Sequence, residues 1–255
     1  MSNIWYPKQS PVQGMTGLWG GTQGSLQGAA GDGWTPCPAV AGENSVSMDG
    51  NDYLQFGNSN DFIWDGEFTV EFWVYSTTGG GQGPYTMWEL GDYSSTDGML
   101  IYEYANKTWA SHEGSNNWES TTTCAQNTWM HVALTRNSDN LVTFWLDGQS
   151  KDTHTISDPF GSSSNTGGNN ATIGATYPSR WQGNMSNVRV VKGQCIYTSN
   201  FTPATENLTL CSQGAIQDKT KVLACNLGTA TGMTKGPNSL TAYSNPSGST
   251  DSPWG

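Results

Sequence analysis

The sequence predicts an all-β protein folded as an antiparallel two-sheet sandwich. Short runs of alternating apolar and polar residues recur along the chain, turn residues separate them, and the composition is poor in helix formers. In 255 residues there are 32 glycines and 12 tryptophans, while Asp, Glu, Lys and Arg make up only 12%. One large β domain or two small ones fit this length.

Residues 1–44 read as an arm. Lys8, Asp32 and Glu43 are its charges, and Trp5, Tyr6, Trp19 and Trp34 punctuate it. So many large aromatics imply packing on the domain or on a partner. Ser45–Met48 and Tyr53–Phe56 flank Asp49-Gly50-Asn51-Asp52, a hairpin turn. In Phe68–Tyr75 the residues Phe68, Val70, Phe72 and Val74 share one face, and Thr69, Glu71, Trp73 and Tyr75 the other. Ser76–Pro84 is a loop. Strands are expected at Met87–Leu90, Met99–Tyr104 and Thr108–Ser111.

The clearest signal is WMHVALTR, NSDN, LVTFWLDGQ from Trp129 onward, a β-hairpin. Met130, Val132 and Leu134 should point inward opposite Val142, Phe144 and Leu146, leaving His131, Thr135, Thr143 and Trp145 outward. Gly161–Asn170 is a polar loop, and Thr172–Ala175 and Met185–Val191 are strands. Residues 211–255 read as an appendage, with one strand at Lys221–Cys225 and a Ser/Gly/Pro-rich tail. Each strand is expected to bury one face and expose the other.

The formal net charge is −11, and no basic run occurs among ten Lys and Arg. Nucleic-acid binding and contact with anionic membrane surfaces are therefore disfavoured. No run of about 18 apolar residues exists to insert in a membrane, and Met1–Pro7 has no secretory pattern. Synthesis and folding in a cytoplasm are expected. Cys37, Cys124, Cys195, Cys211 and Cys225 show no CxxC spacing, so buried free thiols in a reducing compartment are expected. Cys211 and Cys225 flank a short turn and could be neighbours; spacing leaves bonding open.

The set SMDGNDYLQF, EFTVEFWVYS, NTWMHVALTR, TIGA and MSNVRVVKGQCIYTSNFTP resembles the laminin-G-like, concanavalin-A-like jelly-roll domain, in the version common in bacteriophage virion proteins, marine and cyanobacterial phages included. The resemblance covers residues 45–210. It implies a jelly roll that binds carbohydrate or protein, as tail fibre, head fibre or capsid decoration. LACN at 223–226 is similar to a strand that often follows this domain in phage proteins. On that basis the chain is expected to be a non-enzymatic accessory subunit on the virion surface, held to other virion proteins or its own copies by arm and tail. The alternative is a tail-fibre lectin that recognises host surface polysaccharide.

Residue patterns argue against catalysis. A glycanase on this fold needs two carboxylates across a cleft. Here Glu71 and Glu103 each stand alone on their strands, and Glu89 and Asp92 are out of phase. His112, His131 and His154 have no GxSxG nucleophile elbow to serve. Gly79–Gly83 lacks a phosphate-binding lysine. Calcium at a loop rim, implied by the resemblance, would draw on Asp92, Asp97 or the Asp49–Asp52 turn, none of which forms a ligand string.

Aromatic residues are the stronger lead. Tyr102, Tyr104, Trp109, Asn116, Asn117 and Trp118 fall within 17 residues, and Trp181 sits in a TyrProSerArgTrpGln segment. Rings that stack on sugar faces beside amides that hydrogen-bond hydroxyls make a lectin site. Protein interfaces use the same aromatics, so glycan and protein partners both stay open.

Overall fold

The computed structural model describes Cys37, Val40 and residues 44–255, apart from 82, 93–96, 113–115, 162–169 and 175–178. Almost all of the expected arm, including Trp5, Tyr6, Trp19 and Trp34, and most of the 161–170 loop lie outside the described residues.

The described chain is built of strands. In order they are β1 (Ser45–Asp49), β2 (Tyr53–Phe56), β3 (Phe68–Ser76), β4 (Tyr85–Leu90), β5 (Met99–Tyr104), β6 (Lys107–His112), β7 (Asn116–Thr123), β8 (Trp129–Arg136) and β9 (Leu141–Leu146). They continue with β10 (Gln149–Thr155), β11 (Ala171–Ile173), β12 (Ser179–Arg180), β13 (Gln182–Lys192), β14 (Thr220–Ala224), β15 (Met233–Lys235), β16 (Leu240–Tyr243) and β17 (Ser247–Ser249). Short 3-10 turns at Asn60–Phe62 and Ser212–Gly214 are the helical elements among the described residues.

Two sheets stack as a jelly-roll sandwich. One runs β10-β9-β8-β3-β13-β1-β17, with β14 against β13 and β15 against β14; the other runs β16-β2-β11-β4-β5-β6-β7, with β12 beside β4. Phe68, Val70, Phe72 and Val74 meet Leu54, Phe56, Trp88, Leu90 and Ile101 in one buried core. Val132, Leu134, Phe144 and Leu146 join it as the alternation predicts, with Val132 opposite Leu146 and Leu134 opposite Phe144. The NSDN turn holds because Asn137 Oδ1 accepts from the backbone N–H of Asp139 and Leu141, while Asn140 adopts φ 60°. Asp147-Gly148, both at positive φ, turns the chain directly into β10.

Two expectations are corrected here. The segment after Cys211 is not appended to a finished sandwich. β14 pairs with β13, β16 with β2 and β17 with β1, so this segment extends both sheets. A bulge at Asn187, φ 53°, divides β13, so that its first half pairs with β1 and its second half with β14. Much of the outward face of the first sheet is not solvated either. Residues 194–212 cross it as a strap, and Thr69, Glu71, His131, Thr135 and Trp145 are buried beneath. Phe201 N–H donates to Gly148 O, and a Cβ at Gly148 would lie 1.9 Å from Phe201 O, so the strap seats only on a glycine.

The cysteine expectation also divides. Cys124 and Cys225 are buried free thiols whose burial pushes them up to about 12. Cys37 is bonded to Cys211 with Cα atoms 6.0 Å apart, contrary to the expectation of free thiols, and Cys225 is not the partner.

Candidate functional site

In the second sheet Leu54, Ile173, Trp88, Ile101 and Ala110 point into the core. Their neighbours along the strands therefore face outward. Register joins these neighbours into a transverse row. Tyr243 on β16 is opposite Tyr53 on β2; Arg180 on β12 is opposite Thr86 on β4; Thr86 is opposite Tyr102 on β5; Tyr102 is opposite Trp109 on β6. The gap between Tyr53 and Arg180 is bridged by the Arg180 guanidinium, 5.2 Å from the Tyr53 ring centroid. At about 4.8 Å per strand the row spans roughly 24 Å.

Each end of the row is an aromatic pair. Tyr53 and Tyr243 stack at 4.4 Å with planes 3° apart. Tyr102 and Trp109 stack at 6.3 Å, and Tyr104 meets Trp109 edge-on at 6.3 Å. Trp109 Nε1 donates to Tyr104 O at 3.2 Å, which fixes the indole at the Ala105-Asn106 turn, where both residues have positive φ. Tyr104 and Tyr243 are 39% and 38% exposed, high for side chains of this size. β11 ends before Gly174, φ 76°, and β12 pairs with β4 through Ser179 and Arg180, which puts Arg180 in the middle of the row. Burial and the neighbouring Tyr243 raise the Tyr53 hydroxyl, with Arg180 acting the other way.

The structure thus brings together Tyr102, Tyr104 and Trp109. Asn116, Asn117 and Trp118 lie on β7, opposite His112, Ser111 and Ala110 in register; their side chains are outside the described residues. Trp181 is corrected. It is fully buried in the core, its Nε1 without a partner among the described residues, because it follows outward-facing Arg180 and its N–H donates to Gly174 O. Tyr53, Tyr243 and Arg180 are members that sequence reasoning missed. Alternation with Leu54 in the expected strand Tyr53–Phe56 could have exposed Tyr53, whereas Tyr243 lies in the segment read as tail.

Of the outward aromatics of the first sheet, Trp145 is buried and Trp73 is partly covered, while Tyr75 and Trp129 are half-buried and pair at 5.6 Å. Trp145 donates from Nε1 to Thr135 Oγ1 at 2.9 Å and lies 5.6 Å from Phe201; Trp73 packs against Trp254 at 5.9 Å. Under the strap Glu71 is fully enclosed. Arg189 donates to its Oε1 from Nε at 2.8 Å and Nη2 at 2.5 Å, Tyr197 Oη to Oε2 at 2.7 Å, and His131 Nε2 lies 3.2 Å from Oε2. Burial alone would raise this carboxyl; Arg189, then His131 and Tyr197, more than offset it and hold it at about 2. Burial and the Glu71 charge push the Tyr197 hydroxyl well up.

Glu103 points inward, where Ser76 Oγ at 2.6 Å, Thr78 Oγ1 at 2.8 Å and Gln126 Nε2 at 2.8 Å donate to it. Glu89 accepts from Thr172 Oγ1 at 3.4 Å. Glu71 and Glu103 are thus engaged with internal donors, on different sheets. Asp52 is 3% exposed and accepts from the backbone N–H of Asp49 and Asn245, while Asp49 accepts from that of Asn51. Among the described residues, no three His, Cys, Asp or Glu converge in a metal-ligand group, Asp92 and Asp97 included.

The family model of the concanavalin A-like lectin/glucanases superfamily matches residues 48–194, more than half of the chain. The chain belongs to this superfamily. Solved structures agree with the concanavalin A-like fold. A candidate carbohydrate binding protein from Bacteroides ovatus superposes with TM-score 0.55 at 16% identity, over 82% of this chain and 60% of that one. The heptameric SAP-like pentraxin of Limulus polyphemus superposes with TM-score 0.51 at 12% identity, over 81% and 94%. The chain thus spans 60% of the length of the Bacteroides protein. No curated protein matches it in sequence. β14 to β17, and with them Tyr243, lie beyond the part that the concanavalin A-like superfamily model covers.

Proposed function

We propose that this chain is a non-catalytic carbohydrate-binding subunit that holds glycan along the outer face of its second sheet, displayed on the outside of a bacteriophage particle. The transverse row from Tyr243 to Trp109 carries the binding part. Its rings are held by stacking and register before any ligand arrives, so little side-chain entropy is lost on binding. Flat aromatic faces suit the apolar faces of sugar rings, and about 24 Å is the reach of an oligosaccharide rather than a single sugar.

The absence of catalysis in this reading rests on where the carboxylates point. Glu71 is sealed under the strap and Glu103 is turned into the sandwich, while a glycosidase needs two acids about 5–10 Å apart around one bond. The virion part rests on the motif resemblance to phage proteins. It assigns the first 36 residues to anchoring on particle proteins, since Cys37 is already bonded into the domain.

Purified full chain should bind a subset of a bacterial polysaccharide array and release no reducing ends from what it binds. Deleting residues 1–36 should leave glycan binding intact and abolish incorporation into particles. Release of sugar fragments would refute the non-catalytic reading. Normal incorporation of the truncation would refute the anchoring role.

A further inference from the structure

Resting on the glycan-binding reading above, we propose that the outer-face row selects acidic glycan, with the Arg180 guanidinium receiving a sugar carboxylate. The chain carries −11 formal charge and ten Lys and Arg in total. In the strands of the second sheet the cations are Arg180 and Lys107, and both fall on the outer face: Arg180 is opposite Thr86, and Lys107 is opposite Tyr104. An acidic protein has set its basic residues in this sheet on the face that carries the aromatic row.

The arginines elsewhere are engaged with the fold. Arg136 donates to the carbonyls of Gly66, Asp158 and Trp64, and Arg189 to Glu71, Thr209 and Ser212. Arg180 is placed differently. It is half-buried, lies over the Tyr53 ring at 5.2 Å, and donates from Nη1 to Asn51 O. Ring and carbonyl fix the plane of a group that offers five N–H donors. A planar fork held in one plane matches a planar carboxylate bidentately.

The acids nearest Arg180 accept from other donors, so no carboxylate among the described residues occupies its fork. Asp52 accepts from the backbone N–H of Asp49 and Asn245, Asp49 from that of Asn51, and Glu89 from Thr172 on the row above. A neutral sugar at the centre of the row would desolvate Arg180 without supplying an anion, which disfavours it.

Calorimetric titration of the full chain with oligogalacturonate, oligomannuronate, oligoglucuronate and sialyl-oligosaccharides tests this, each beside its carboxyl-reduced form and beside a sulfated neutral oligosaccharide. At least one carboxylated member should bind tenfold or more tightly than its reduced form. Arg180→Gln should remove that difference, and Arg180→Lys should restore only part of it. Thermal unfolding of both variants should match the parent, since Arg180 is no part of the core.

Equal binding of carboxylated and reduced forms, or binding to neutral glycans alone on the array, overturns the charge selectivity and leaves glycan binding standing. Preference for the sulfated ligand overturns the carboxylate assignment. Failure to bind any glycan removes the underlying reading and this inference with it.

Discussion

Glu71 on β3 and Arg189 on β13 are direct cross-strand partners, with Nη2 2.5 Å from Oε1 and both side chains sealed from solvent. The pair sits on the face of the first sheet that alternation marks as outward. It exists because the strap supplies Tyr197 Oη to the carboxylate and the carbonyls of Thr209 and Ser212 to the guanidinium. Pair and strap therefore stabilise each other.

This pair makes stability acid-sensitive in a defined window. The Glu71 carboxyl stands at about 2 in the fold, against 4.5 for an unperturbed glutamate. A depressed carboxylate stabilises fully above the unfolded value and loses that contribution as pH falls through the folded one. Its share, roughly 3 kcal/mol, should be flat above pH 5 and disappear between about pH 4.5 and 2. Urea unfolding across that range reads it. Glu71→Gln should cost about 3–5 kcal/mol at pH 7, by leaving Arg189 buried and unpaired, and should flatten the acid limb.

Alanine substitutions separate the row from the core. Tyr243→Ala and Trp109→Ala should each weaken glycan binding about five- to thirtyfold while the unfolding midpoint moves little. Trp181→Ala should act oppositely. It empties a fully buried site and should cost about 3–5 kcal/mol of stability. Paired calorimetry and thermal unfolding of the three variants give the comparison.

The C-terminal segment should prove structural. β16 and β17 cover the edges of β2 and β1, Asp52 accepts from Asn245 N–H, and Trp254 Nε1 donates to Ala204 O of the strap at 3.1 Å. Removing residues 237–255 would bare two sheet edges, a known route to aggregation. The truncated chain should be insoluble or unfold many degrees lower. A soluble truncation with the parent's midpoint would contradict the pairing.

Cys37 and Cys211 are 174 residues apart in sequence, so their bond closes a long loop. Cys37→Ser should lower stability by about 2–4 kcal/mol. Peptide mapping without reductant should recover one linked pair joining these two cysteines. Cys124, Cys195 and Cys225 should be recovered as thiols.

Much of the sandwich was legible because its strands obey period two. Val132, Leu134, Phe144 and Leu146 follow the alternation into the core, and the NSDN turn identifies itself by asparagines that bond their own backbone. What escaped has physical causes. β10, QSKDTHT, is a polar edge strand with no apolar face to reveal it. β15, β16 and β17 are three or four residues each, held by pairing rather than by propensity. Burial of Glu71 depends on a strap brought in from more than a hundred residues away.

The site was read in the same measure. Tyr102, Tyr104 and Trp109 were close in sequence and lie on one hairpin, so local reasoning found them. Tyr53, Arg180 and Tyr243 come from three distant segments that only the sheet aligns. Trp181 misled because a one-residue step in a strand exchanges the inner for the outer face. Arg180, beside it, is the outward member.

A crystal structure of the chain with a bound oligosaccharide would decide whether the aromatic row holds glycan. Sugar rings should lie across the second sheet, in van der Waals contact with Tyr243 or Tyr53 at one end and Trp109 at the other, with Arg180 beneath the middle. Sugar bound at a loop rim or on the strap-covered face, with the row untouched, would contradict this placement.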